Sequence, residues 1–247
     1  FISTMVEWNP LPDKMEQLGC PVFGHVVDYD MAFQTLLPSL QRFNEIIVGG
    51  EKEKSAIERL TCRPATVYPH HSALDDSDLP ELSQLTTDKV DIDVIMTGTT
   101  IDYFHPDKRE FLKRILKCRD VDPLIVHGFL PKKFYFQVYR RARIVASFNR
   151  ELNDRTFGQT ETRSLEALAV GRPIFSRRGS VLAHFASDKN EIFEFRMESA
   201  LLEQSLARAV NREKLEPLDR KSTAKKFRQL YGHQNVGSRY LRFLTFR

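Results

Sequence analysis

No stretch of this 247-residue chain approaches the roughly 18–20 consecutive apolar residues that a membrane span requires, so no transmembrane segment is predicted. Cysteine is scarce and odd in number. Cys20, Cys62 and Cys118 are widely spaced and form no C-x-x-C pair, which argues against a disulfide framework or a zinc site and for free thiols in a reducing, cytoplasmic setting. Walker A, H-E-x-x-H, G-x-S-x-G and G-x-G-x-x-G patterns are all missing, so phosphoryl transfer, zinc hydrolysis and NAD chemistry lose their usual supports. An initiator Met is lacking too. The chain opens at Phe1 inside an apolar run, as a fragment or processed form does, so its start says nothing about targeting.

What is present suits a globular protein of one large or two small domains: 41% hydrophobic and 28% charged residues. The net charge of +4 is unevenly spread. From Arg208 to the end there are eleven Lys or Arg against three Asp or Glu, whereas residues 70–89 carry Asp75, Asp76, Asp78, Glu81 and Asp88. A basic tail fits nucleic acid, an anionic membrane or solvated helices; its interleaved Leu and Phe favour the last.

Taken in order, the chain reads as two α/β stretches. Strands are predicted at 22–27, 45–48 and 65–68, with helices at 31–43 and 51–60 between them, the pattern of a parallel sheet. Residues 70–90 are acidic and aperiodic and read as a linker. The rhythm then restarts with strands at 93–97, 124–126, 143–148, 174–176 and 192–195. Helices are expected at 108–118, 134–141 and 181–187, and from 198 onward. The expected domains are therefore 1–69, linker 70–90 and 91–247.

Residues 160–173, TETRSLEALAVGRP, hold the most informative helix. Leu165, Leu168 and Ala169 fall at helical spacing, Arg163 and Glu166 share a surface three residues apart, Gly171 stops the helix and Pro173 opens a strand. The start of such a helix is a seat for phosphate, because its unpaired N–H groups and dipole both favour an anion. A carboxylate one turn further in can take two vicinal ribose hydroxyls. The same charge pair also suits a plain solvated helix face. Upstream, Gly98 among hydroxyl residues at a strand-to-helix turn lets backbone N–H groups approach a pyrophosphate that Lys108 and Arg109 can neutralise. An ordinary βα turn accounts for it equally.

The run R-S-L-E-A-L-A-V-G-R-P-I resembles the donor-nucleotide signature of GT-B glycosyltransferases, in particular the branch of spore-maturation glycosyltransferase-like proteins, with its N-x-R-x-x-E-x-x-A-x-G-x-P pattern. The segment from Asp93 to Thr99, with 105–112 after it, resembles the opening of that family's nucleotide-binding lobe. Tyr139 to Asn149 resembles the strand that leads into the donor loop, with Asn149 or Asn153 as the family Asn. The resemblance implies two Rossmann-like lobes, the first incomplete here, and a nucleotide-sugar donor such as a UDP- or GDP-sugar, with no cofactor. It places Glu166 at the ribose, Arg163 and the helix start at the phosphate edge, and Gly98, Thr99 and Arg109 at the diphosphate. His127, before the strand-end Gly128, falls near the base; an interior structural His is the other reading.

In the first half His25, Asp28 and Asp30 gather at a strand end, where His25 and Asp28 are candidates for acceptor binding or base catalysis; His25 also fits a structural role. Asp28 and Asp30 spell the metal-binding D-x-D spacing, but so do Asp91 with Asp93 and Asp120 with Asp122, so no metal is expected. The resulting expectation is a metal-independent glycosyltransferase acting on a glycan, protein or small-molecule acceptor, with peripheral membrane contact or a larger chain as possible contexts. Its terminal helices are expected to pack across the lobes, as in the family. Two other classes stay open: a non-catalytic nucleotide-sugar-binding or scaffold module, and a nucleic-acid-binding or nucleic-acid-modifying protein using the basic C-terminal helices.

Overall fold

Alternation of side chains along parallel strands sets the layering of this α/β chain. In the computed structural model, the described residues are 2–4, 11–26, 37–68, 73–86, 89–98, 106–128, 130–148, 151–152, 155–156, 162–177, 186, 188–197 and 199–245. They divide into two units: residues 1–70 with 151–159, and 71–150 with 160–247.

The first unit contains strands β1 (Ile2–Thr4), β2 (Phe23–His25), β3 (Glu45–Val48) and β4 (Ala65–Val67), paired in that order and all parallel. Helix α1 (Glu51–Thr61) begins after Gly50, carries Glu51 and Glu53 in its first turn and ends at Cys62 in a left-handed conformation. Its Ala56 and Ile57 pack on Ile46 and Val48, with Val22, Val26, Leu40 and Phe43 closing the core. Strand β1 was not foreseen, because its three residues carry too little pattern to read.

The second unit is a five-stranded parallel sheet of β5 (Ile92–Gly98), β6 (Pro123–His127), β7 (Ala142–Ser147), β10 (Ile174–Arg177) and β11 (Ile192–Phe195). A two-residue hairpin pair, β8 (Glu151–Leu152) and β9 (Arg155–Thr156), lies between β7 and β10 in sequence and was also unforeseen. The five strands run β11-β10-β7-β5-β6. Helix α2 (Pro106–Leu116) joins β5 to β6, α3 (Lys132–Arg141) joins β6 to β7, and α4 (Thr162–Ala169) precedes β10. Ile95, Val145 and Ile174 face a core shared with Tyr139, Leu165 and Leu168. Met96, Ala146 and Phe175 face the opposite core, with Phe111, Ile115, Leu206 and Val210. Both faces are thus covered, as an all-parallel sheet requires.

The tail forms α5 (Leu202–Leu215), α6 (Arg220–Tyr231) and α7 (His233–Thr245). Asp219 caps α6 by accepting from the Ser222 N–H. Phe227 and Tyr231 of α6 are fully buried in the Tyr139 core. The segment 73–86, expected to lie within a linker, is instead part of the second unit. Leu74 donates its N–H to the Tyr231 carbonyl, and Leu74 and Leu85 are buried in that same core. Its two apolar anchors are too far apart to register as a period amid the acidic residues.

Gly171 ends α4 with φ +70, and a Cβ there would lie 2.4 Å from the Arg220 carbonyl oxygen. Arg172 follows, wholly buried, donating to the Arg140 carbonyl. The Gly-Arg-Pro part of the signature therefore fixes helix to strand, and only its upstream part faces the strand ends. Among the described residues no helix is long and apolar enough to cross a membrane.

Candidate nucleotide site

Strand order reverses direction at β5, since β6 lies on one side of it and β7, β10 and β11 on the other. Ligands of open α/β sheets settle in the crevice at the carboxyl ends of strands where the order reverses. Gly98 closes β5 there. Its φ is +109, and a Cβ built on it would fall 2.6 Å from Nη2 and 2.7 Å from Cζ of Arg163. The Arg163 guanidinium therefore lies directly on the Gly98 backbone, and two residues named from the sequence for one ligand group are in contact. Arg163 sits in the first turn of α4, where no acidic residue accompanies it. A cation at the positive end of a helix is unfavourable by roughly 0.3–1 kcal/mol unless an anion joins it.

Lys108 adds a second cation. It is 2% exposed, and burial together with the nearby Arg163 charge lowers its amine to about 8. Arg109, the expected diphosphate ligand, is exposed. Helix periodicity explains the difference in burial: 108 shares the i, i+3, i+4, i+7 stripe with buried Phe111, Leu112 and Ile115, and 109 does not.

Glu166 lies one turn along α4 from Arg163 and is half-buried. Near it lies a cluster of hydroxyls from β5 and α3 that the sequence reading did not single out. Thr97 Oγ1 donates to Tyr135 Oη at 3.3 Å and lies 3.0 Å from Tyr139 Oη, and the two tyrosine hydroxyls bond each other. Burial above all, with a contribution from the Glu166 charge, raises both phenols, Tyr139 to about 12. Tyr135 and Tyr139 are four residues apart on an apolar helix face, so only their hydroxyls distinguish them from ordinary core aromatics.

His127, the exposed last residue of β6, pairs in register with Gly98, and Gly128 donates its N–H to the Gly98 carbonyl at 3.4 Å. Further across the sheet edge Arg177 is buried, 3.8 Å from Asp107 and over the Phe148 ring. His25 belongs to the first unit, where it is 3% exposed and pairs with Thr4 and Ile47. Asp28, Asp30, Thr99, Asn149 and Asn153 lie outside the described residues, as do 31–36 and 181–185.

A family model described as glycosyl transferase-like matches residues 83–242, which include every described site residue of the second unit. The chain belongs to this glycosyl transferase-like family. Search of curated proteins returned no match. Among solved structures, similarity extends to the pneumococcal O-GlcNAc transferase GtfA in complex with UDP and GlcNAc. It is 10% identical with a TM-score of 0.58, over 90% of this chain and 52% of that one. TarM gives 9% and 0.59 over 94% and 52%. Sucrose-phosphate synthase from Thermosynechococcus elongatus gives 11% and 0.56 over 94% and 70%. At these identities the likeness carries the fold, that of GT-B glycosyltransferases. The chain spans about half the length of the GtfA and TarM chains.

Proposed function

We propose that this glycosyl transferase-like chain moves a sugar from a nucleoside-diphosphate sugar to an acceptor, and that its second unit holds the donor. The observation that carries the reading is the packing of Arg163 on Gly98, with Lys108 beside it and the start of α4 above the strand end. Two closely set cations, one of them buried, with a helix N-terminus between strands, form a site for a compact dianion rather than for a neutral ligand. Transfer leaves charge on the nucleoside diphosphate. Arg163, Lys108 and the α4 dipole are placed to stabilise that charge as it develops, which lowers the barrier to departure.

Glu166 is assigned to the ribose, His127 to the side of the base, and Gly98, Thr99 and Arg109 to the diphosphate. Acceptor chemistry is assigned to the first unit, with His25 and Asp28 as its candidates. Membership of the spore-maturation branch rests on the R-x-x-E-x-x-A-x-G-x-P spacing. The UDP and GlcNAc named with GtfA support the donor class.

Calorimetric titration with UDP and GDP, on the parent chain and on Glu166→Ala, tests this. Binding of one nucleotide in the micromolar range, weakened tenfold or more by Glu166→Ala, is the expected result, since a hydrogen bond to a charged group contributes about 1.5–3 kcal/mol. No binding by either nucleotide to folded protein refutes the donor site and favours a scaffold role.

A further inference from the structure

Strand β6 closes the five-stranded sheet on one side, and among the described residues no strand pairs with its outer edge. Its register decides which backbone groups face outward. Val94 donates its N–H to the Asp122 carbonyl and Gly128 to the Gly98 carbonyl, with Val94 beside Pro123 and Gly98 beside His127. By the alternation of a ladder, residues 124 and 126 therefore bond β5, whereas Pro123, Ile125 and His127 turn their backbone away from it. Proline suits that side, where it has no N–H to lose. Ile125 presents both an N–H and a C=O to the open side. Exposed edges are commonly guarded by charge, yet β6, Pro-Leu-Ile-Val-His, holds no Lys, Arg, Asp or Glu, while the opposite edge β11 holds Glu194. Leu124 is exposed, as are Leu116 at the end of α2 and Phe134 in α3, the helices that enter and leave β6.

We infer that β6 is a self-pairing edge, through which two copies of this chain join antiparallel about a two-fold axis at Ile125. The strand is its own complement there. Ile125 of each copy exchanges N–H and C=O bonds with Ile125 of the other, the hydrogen-bonded pair of an antiparallel ladder. Side chains then meet in apolar sets: Leu124 lies opposite Val126 of the second copy on the face of the Tyr139 core, and Ile125 opposite Ile125 on the face of the Phe111 core. Sliding the copies by two residues would set Ile125 against Pro123 and forfeit one bond of each such pair, so the register is fixed. A five-residue strand buries less than the roughly 1,200 Å² of a lasting interface, so the association is weak and reversible. Antiparallel joining also points the carboxyl ends of the two sheets in opposite directions, which leaves each candidate nucleotide site at its own edge of the joined sheet. The inference is independent of the donor reading.

Sedimentation velocity on the full chain, from dilute to concentrated solution, tests this together with hydrogen exchange at the Ile125 amide. The parent is expected to pass from monomer to dimer, and exchange at Ile125 to slow by about tenfold or more as it does so. Two variants probe the edge. Leu124→Lys sets a charge against the apolar Val126 of the second copy and is expected to weaken dimerisation about tenfold or more, with the urea midpoint read alongside to show that the fold persists. Ile125→Pro removes only an outward N–H, since residues 124 and 126 make the bonds to β5, and is expected to weaken dimerisation likewise. A parent chain that stays monomeric at every concentration overturns the inference. So does a dimer that persists undiminished in folded Leu124→Lys, or one that leaves the Ile125 amide exchanging freely, because another surface then joins the copies.

Discussion

Arg163 occupies the space that a side chain at residue 98 would need, with Nη2 2.6 Å from the position of its Cβ. Gly98→Ala must therefore displace the guanidinium and also adopt a φ of +109, which L residues rarely hold. Nucleotide affinity is expected to fall tenfold or more and stability by about 1–3 kcal/mol, the range for a backbone residue forced into a sparsely populated region. Calorimetric titration and urea unfolding read the two separately; unaltered affinity would mean that Arg163 does not act on the ligand.

The pH dependence of binding should report on Lys108. Its amine is lowered from 10.5 to about 8 by burial first and by Arg163 second, so between pH 8 and 10.5 the unfolded chain holds a proton that the folded one has released. The destabilising effect of the buried charge is thus fully present below pH 8 and is relieved as pH rises through that window. A bound diphosphate favours the charged amine and raises its value. Nucleotide affinity is accordingly expected to decline above pH 8, and Lys108→Met to remove that decline while weakening binding at pH 7. A flat profile in the parent from pH 7 to 9.5 would refute the assignment.

Acid stability of the second unit should depend on the Arg114–Glu203 pair. Arg114 reaches Glu203 with Nε at 2.7 Å and Nη2 at 2.6 Å and also donates to the Met197 and Ser199 carbonyls, fastening α2 to the segment before α5. Hydrogen bonding to Arg114 brings the Glu203 carboxyl down to about 2 from 4.5. A depressed carboxylate contributes stability above its unfolded value and loses it as pH falls from about 4.5 to 2. Melting temperature followed from pH 6 to 2 is expected to fall less steeply in Glu203→Gln than in the parent.

Gly171→Ala should be more damaging than its solvent-free but unremarkable place in a turn suggests. The added methyl would meet the Arg220 backbone, which cannot swing aside as a side chain can, and φ +70 is strained for alanine. A loss of about 2–4 kcal/mol is expected from overpacking and backbone strain together. Urea denaturation would detect it, and a loss under 0.5 kcal/mol would show that α6 can shift.

Most strands and helices of both sheets were legible because parallel strands buried on both faces leave apolar runs separated by helical stripes, as in Val94 to Met96 and in Phe111, Leu112 and Ile115. The meeting of Arg163 with Gly98 was legible from residue type and spacing. What escaped depended on contacts between distant segments. The role of Leu74 exists only through Tyr231, and the hydroxyl cluster only through the meeting of β5 with α3. Pairs β8 and β9 are too short to carry a pattern.

The all-parallel pairing of the second unit also has a temporal side. Ile92 finds its partner Ala142 only after β6 and α3 have been made, and Val145 waits again for Ile174. Each such closure costs chain entropy before any contact compensates it, so the sheet is expected to assemble slowly. A nascent chain cut short before Ile174 would hold Gly98 and Lys108 yet leave β7 an open, apolar edge, a sticky object on the ribosome rather than half a binding site.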